Sequence, residues 1–232
     1  MNKKYYFYFY VVMVHIFIIV LVIKLGLINK IFKTQVLEWR YIQKATHSFY
    51  LRVDKNTSKG KVIFVGDSHI QGLAVNEVNN QGVNFGIGGD TSKIILTRVK
   101  QYQSIQFARA IVFSVGINDF RYRSIDEIIN HYKEILDVIP KTTVIIINAV
   151  FHIDPLSTSI NIDNKDIFLL NQKLESLSQE YSNSIFLNLN AQFTQKNRLL
   201  EEYHIGDGIH LNKRGYQVWI KILKKMLDKE IR

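Results

Sequence analysis

The chain has no cysteine. Disulfide frameworks and thiolate metal sites are therefore excluded, although the compartment stays open because many exported proteins also lack the residue. Proline is almost absent: Pro140 precedes an apolar run and Pro155 falls inside a loop. There is no internal repeat, and no low-complexity tract outside the extreme N-terminal stretch. Acidic residues are scarce only at the beginning. Residues 1–60 hold 10 Lys/Arg against 2 Asp/Glu, while residues 61–232 hold 20 against 18. The net charge of +10 is thus an N-terminal property, and the remaining body is nearly neutral. That distribution argues against a nucleic-acid partner, which calls for a basic stripe on the working face. Metal-ligand spacing is missing too. Asp207-x-x-His210 offers only two ligands and has no companion cluster, so no metal and no cofactor are expected.

What is present allows one ordinary domain with a short appendage: 232 residues, 47% of them hydrophobic, can bury a sizeable core. Residues 5–23 carry no formal charge, and His15 is the most polar among them. A helix of that length crosses a bilayer core of about 30 Å. Tyr5, Tyr6, Tyr8 and Tyr10 gather at one end as an interfacial aromatic belt would. No small-residue cleavage site closes the stretch, so an uncleaved single-pass anchor is expected rather than a removed signal peptide. The competing reading is a buried core helix. Lys24, Lys30, Lys33, Arg40 and Lys44 follow the span, whereas Lys3 and Lys4 precede it. Counted alone, these cations put the body in the cytoplasm, but a short two-lysine N-terminus also begins ordinary export anchors. The expected division is a basic N-terminus at 1–4, the anchor at 5–25, a basic helical linker at 26–59 that could lie on anionic lipid, and the main domain at 60–232.

Residues 34–52 have helical spacing, with Val36, Leu37, Trp39, Tyr41, Ile42 and Phe49 apolar. A polar break at 54–60 marks the domain start. Short apolar runs follow at 61–65, 83–85, 111–115, 143–150 and 185–189. Segments with helical spacing lie between and after them, at about 70–79, 91–108, 125–138, 163–182 and 213–229. Alternation of this kind predicts an α/β fold with a parallel sheet covered on both faces, and the continuous apolar runs match strands buried on both sides. Ligands in such sheets bind beyond the carboxyl ends of the strands, near the switch in strand order.

The polar junctions fall at those ends. Residues 62–69 read Val-Ile-Phe-Val-Gly-Asp-Ser-His, so Ser68 sits where a strand turns into a helix, and Asp67 reads as a local brace for the turn. Alone, this is also a turn with a helix cap. Residues 84–92 read Asn-Phe-Gly-Ile-Gly-Gly-Asp-Thr-Ser. Glycines there let the backbone approach a substrate, and Gly89 could donate its N–H to an oxyanion. Asp90, Thr91 and Ser92 read as helix caps. Gly116-Ile-Asn118-Asp119 ends the third run, and the Asn118 amide is a neutral donor suited to an oxyanion; alone it is a turn asparagine. Asp207 and His210 stand three apart before the last helix. His210 could accept the Ser68 proton while Asp207 holds the imidazole in one tautomer. His152, His204 and Asp154 are polar neighbours without a role, except that His152, Asp154 and Leu156 in the stretch 151–163 could line the mouth. Tyr216, Val218 and Trp219 read as core positions.

Four such signals in this order resemble the SGNH, or GDSL-type, hydrolase superfamily: Gly66-Asp67-Ser68, Gly89, Gly116-x-Asn118-Asp119 and Asp207-x-x-His210 match its four blocks. The run from Asn84 to Thr91, with Leu96 and Arg98 downstream, looks especially like the branch of the platelet-activating-factor acetylhydrolase catalytic subunits. Coverage is about residues 60–228. The resemblance implies a three-layer α/β/α sandwich, flavodoxin-like, with a five-stranded parallel sheet. It implies Ser68 as nucleophile, His210 as base and Asp207 as third triad member, with Ser68 N–H, Gly89 N–H and the Asn118 side chain as oxyanion donors. His69 departs from the apolar residue often found there; it reads as a candidate substrate contact or as a tolerated substitution at an exposed helix start. The expected activity is a membrane-anchored serine esterase acting on a small acyl ester, glycan or lipid, with the body outside the cytoplasm by family habit. An acyltransferase with a glycan or lipid acceptor and an inactive binding protein on the same fold are the alternatives. Neither acyl-chain length nor oligomeric state is legible.

Overall fold

The computed structural model describes residues 3–24 and 27–231, with the backbone alone over 27–36. The first two residues of the basic N-terminus, residues 25–26 and the side chains of Lys30, Lys33 and Val36 lie outside the described residues. The chain divides into two compact units, Met1–Thr46 and His47–Arg232. The first contains helix α1 (Lys3–Lys24), which is long and apolar enough to cross a membrane by length and composition. None of its described side chains is buried. The first unit continues into helix α2 (Leu27–Lys55), on which Leu37, Trp39, Tyr41 and Ile42 are exposed.

The second unit starts earlier than the composition break predicts. Residues 47–55 of α2 belong to it, and Tyr50, Leu51 and Val53 pack on its core. Asp54, only 2% exposed, accepts hydrogen bonds from the backbone N–H groups of Gln103 (2.8 Å) and Ser104 (3.0 Å) and from the Ser104 hydroxyl. A carboxylate buried with three donors is part of the domain, whatever the local sequence composition. The linker therefore does not extend to residue 59.

Five strands form one sheet: β1 (Val62–Gly66), β2 (Gly82–Gly86), β3 (Ala110–Ser114), β4 (Val144–Asn148) and β5 (Ser184–Leu187). Their order is β2-β1-β3-β4-β5, and every pairing is parallel. All residues of β1 and β3 are buried, which explains why their runs are continuously apolar. Alternate residues serve two cores. Ile63, Val65, Ile111, Phe113, Ile145 and Ile147 join one cluster, and Val62, Phe64, Val112 and Ile146 join the other. The result is the expected three-layer sandwich.

The helices of the body are α3 (Ser68–Gln71), α4 (Val75–Val78), α5 (Ser92–Val99), α6 (Ile125–Asp137), α7 (Asn164–Gln179), α8 (Asn190–Phe193) and α9 (Lys213–Glu230). One layer is built on α5, α6 and α7 and the other on α3, α4 and α9. A two-stranded antiparallel ribbon, β6 (Thr194–Gln195) with β7 (Arg198–Leu199), precedes α9. Two expected helices are shorter than their spacing suggests. The 70–79 segment breaks into α3 and α4 after Gly72, where a Cβ would stand 2.4 Å from the Tyr216 hydroxyl. The 91–108 segment stops at Val99, because Asp54 draws the N–H groups of Gln103 and Ser104 into a separate 3₁₀ turn at Ser104–Phe107. Trp219 is fully buried as expected, while Tyr216 and Val218 pack at the margin of the same cluster.

Replacing Asp54 by alanine leaves buried donors without an acceptor, a loss of about 1–3 kcal/mol. Denaturant unfolding of the full chain measures it. A midpoint equal to wild type would show that residues 47–55 are not integral to the second unit.

Candidate active site

The strand order reverses between β2-β1 and β1-β3, so the crevice of this sheet lies beyond the carboxyl ends of β1 and β3. There Gly66 pairs with Gly86 on one side and Ser114 on the other. A Cβ at Gly66 would approach the Ser114 carbonyl oxygen to 2.2 Å and Ile70 Cγ1 to 2.5 Å. Glycine is what lets the chain turn from β1 straight into α3. Asp67 then holds the turn: its N–H donates to the Ser114 carbonyl (3.1 Å), and its Oδ1 accepts from the His69 N–H (3.0 Å). Ser68 follows, part-buried, at the first position of α3.

The loop carrying Asp207 and His210 meets Ser68 from the other end of the chain. Ser68 Oγ lies 2.9 Å from His210 Nε2 across 142 residues of sequence. His210 Nδ1 lies 2.5 Å from Asp207 Oδ2. The second Asp207 oxygen accepts from the N–H groups of Ile209 (3.0 Å) and His210 (2.9 Å). Burial alone would raise the Asp207 carboxyl, but these hydrogen bonds and the neighbouring imidazole outweigh it and hold the group below the usual range. It therefore stays ionised, orients the ring through Nδ1–H and leaves Nε2 free to accept the serine proton.

The loops after β2 and β3 flank this turn. The loop after β2 passes close by, since a Cβ on Gly88 would lie 3.7 Å from Ser68 Cβ. The Gly88 N–H donates to Gln71 Oε1 (2.7 Å). Gly89 takes a positive φ of 79°, and its N–H donates to nothing among the described residues. Asn118, after β3, gives one amide hydrogen to the Asp90 carbonyl (3.1 Å). The second hydrogen on the same nitrogen remains for a ligand. A hydroxyl with a base and an orienting carboxylate, flanked by loops that carry free N–H donors, is equipped for acyl transfer.

Several residues take roles other than those read from the sequence. Asp90 does not cap α5; it is buried in an ion pair with Arg98, which also donates to the Phe85 carbonyl. Burial dominates and pushes the Asp90 carboxyl up to about 6, with Arg98 opposing. Ser92 donates its hydroxyl to Asp119 (2.6 Å), tying the start of α5 to the turn behind Asn118. His69 is not at an exposed helix start. It is 4% exposed, with its ring centroid 5.7 Å from that of His210 and Nε2 lying 3.0 Å from the Ile209 carbonyl. Burial pulls the His69 imidazole down, but Asp67, the Ile209 carbonyl and Asp207 together shift it up. His152 and Asp154, expected near substrate, are 5% and 4% exposed. The His152 N–H donates to Asn190 Oδ1 (2.8 Å), and burial lowers its imidazole. Asp154 accepts from the Ser157 hydroxyl (2.6 Å) and faces Arg198 at 3.3 Å. Both side chains are buried, while Leu156 of the same loop is 78% exposed.

The fold and this constellation define an α/β serine-hydrolase type of site. The chain matches the GDSL-like Lipase/Acylhydrolase family over residues 64–218. It belongs to that family and is a carboxylic ester hydrolase, an esterase of the acylhydrolase type. The platelet-activating factor acetylhydrolase IB subunit alpha2 of Rattus norvegicus is 25% identical over 187 residues, covering 75% of this chain and 79% of the relative. Among solved structures, a candidate platelet activating factor from Streptococcus pneumonia superposes with a TM-score of 0.75 at 22% identity, covering 86% of this chain and 98% of the other. A carbohydrate esterase family 3 protein from Talaromyces cellulolyticus gives 0.59 at 18% identity, covering 74% and 98%.

Replacing Asp90 by alanine strands the buried Arg98 guanidinium beneath the Gly88–Gly89 turn. The expected loss is about 3–5 kcal/mol of stability, the usual result of breaking a buried ion pair. Thermal unfolding checks it, and a melting point equal to wild type would contradict the arrangement.

Proposed function

We propose that the protein is a membrane-anchored serine esterase that removes short acyl groups, acetyl above all, from an oxygen ester. The observation that carries the reading is the unbroken chain from Ser68 Oγ through His210 to Asp207, at 2.9 Å and 2.5 Å. Ser68 Oγ attacks the ester carbonyl carbon while its proton passes to His210 Nε2. The negative oxygen of the tetrahedral intermediate accepts from Ser68 N–H, Gly89 N–H and the free hydrogen of Asn118 Nδ2. The intermediate collapses, the C–O bond to the leaving alcohol breaks, and His210 returns its proton to that alcohol. Water, deprotonated by the same imidazole, then attacks the acyl-Ser68 carbonyl. The carboxylic acid leaves and Ser68 regains its proton. Asp207 stabilises the imidazolium in both halves without taking its proton.

Acetyl as the acyl group is supported by two similar proteins. One is named an acetylhydrolase and another, from Geobacillus Stearmophilus, an acetyl-xylooligosaccharide esterase. The anchor rests on α1, which has the length and composition of a membrane span, and the body is taken to lie outside the cytoplasm. Solubilisation from membranes by detergent but not by alkaline carbonate is the expected behaviour. Release by carbonate alone would remove the anchor from the proposal.

For the chemistry, the full chain should hydrolyse a short-chain aryl ester and label with a fluorophosphonate probe, and Ser68→Ala should do neither. Equal rates from both proteins would end the proposal. Asn118→Ala should lower turnover by about 100- to 1000-fold, the loss typical of one oxyanion donor. Asp207, held below the usual carboxylate range, stays ionised at neutral pH and keeps orienting the ring.

A further inference from the structure

Asp207 and His210 sit in a short hairpin between Tyr203 and α9. Gly206 and Gly208, on either side of Asp207, both take positive φ, 101° and 71°. The hairpin is closed by a bridge between His204 and Leu211 and by Ile205 N–H donating to the His210 carbonyl (3.0 Å). Inside it, the N–H groups of Gly206 and Gly208 point inward, away from any strand or helix partner. Both donate to one atom, His204 Nδ1, at 3.0 Å and 3.1 Å.

That geometry assigns the tautomer. An Nδ1 accepting two N–H donors carries a lone pair, so the ring proton is on Nε2. Nε2 faces Asp154 Oδ2 at 3.5 Å, with the two side chains 1% and 6% exposed. Asp154 grips the same hairpin a second time, through its backbone N–H to the Gly208 carbonyl (2.7 Å). Gly208 has no room for a side chain here, because a Cβ would stand 2.5 Å from the Asp154 carbonyl oxygen. Asp154 is itself braced by Ser157 at 2.6 Å and Arg198 at 3.3 Å. The residue carrying the triad carboxylate is therefore held on both flanks by a second, buried Asp–His pair.

We infer that His204, backed by Asp154, is a positioning residue for the esterase reaction: its Nδ1 locks the backbone on both sides of Asp207 and so sets where that carboxylate meets His210. The inference rests on the triad reading given above. His204 touches neither substrate nor the reacting atoms. Without its acceptor, the buried Gly208 N–H and the more exposed Gly206 N–H lose their shared partner, and the hairpin relaxes toward a form that satisfies them otherwise. A displacement of about 1 Å at the catalytic groups is enough to cost on the order of 100-fold in rate.

The test compares the full chain in detergent as wild type, His204→Ala, His204→Gln and His204→Asn. Asparagine places Oδ1 where Nδ1 stood and keeps the acceptor; glutamine reaches only the Nε2 position. Turnover is expressed per Ser68 titrated with fluorophosphonate, so a loss of folded protein does not count. The expected result is a fall in kcat on the order of 100-fold in the alanine and glutamine forms, with KM little changed and most of the rate restored by asparagine. Amide hydrogen exchange, which needs no activity, should accelerate at Gly206 and Gly208 in the alanine form. Wild-type kcat in His204→Ala, equal losses in the asparagine and glutamine forms, or unchanged protection at both glycines would each overturn the inference. An inactive wild type, or an active Ser68→Ala, would instead be a failure of the esterase triad, and the exchange measurement would still decide the hairpin.

Discussion

The parallel pairing of β1 between β2 and β3 is the constraint on which the rest of the site depends. It brings Gly66, Gly86 and Ser114 into one row, so the three loops that follow leave the sheet at the same height. The absence of a side chain at Gly66 lets the chain enter α3 at once and puts Ser68 over that row. Shifting one strand by a residue would exchange its two buried faces. Because each face feeds a different core cluster, the hydrophobic effect holds the register, and the register holds the catalytic geometry.

Around this frame the protein buries carboxylates, each set against particular partners. Asp90 with Arg98 supports the glycine turn on one flank of Ser68, Asp119 with Ser92 and Arg123 supports the turn behind Asn118, and Asp154 with His204 supports the hairpin on the other flank. Each pair is desolvated and therefore contributes little net stability against an apolar substitute. What each provides is direction: a carboxylate accepts from particular donors at particular angles, whereas packed hydrocarbon tolerates rotation. The loops that carry the chemistry are those braced in this way.

Much of this was legible in the residues. Strands doubly covered by helices leave continuous apolar runs, and all five were found. Three of the four polar blocks follow sheet strands β1, β2 and β3, where the fold opens its crevice, and the fourth lies in the hairpin before α9. The misreadings share one cause. His69, His152 and Asp154 are polar residues near a site, and a polar residue in sequence looks solvent-facing. Their burial follows from the elements packed over them: Phe151 stacks edge-on against His69, with ring centroids 5.2 Å apart, and the Asp154 loop closes on Gly208. The body's start at residue 47 was hidden for a similar reason, since the partners of Asp54 lie about fifty residues further along the chain.

Local patterns thus determined the strands, the alternation that makes a parallel sandwich, the apolar N-terminal helix and the choice of Ser68, His210 and Asp207 as candidates. Those features depend on neighbours in the chain: side-chain periodicity, charge spacing and glycine at turns. Tertiary structure alone decided which polar groups are buried, which of the histidines meets Ser68 and which holds a hairpin, and that Asp90 serves Arg98 instead of a helix end. These depend on contacts between residues far apart in sequence, where desolvation and hydrogen-bond direction, not local preference, select the partner.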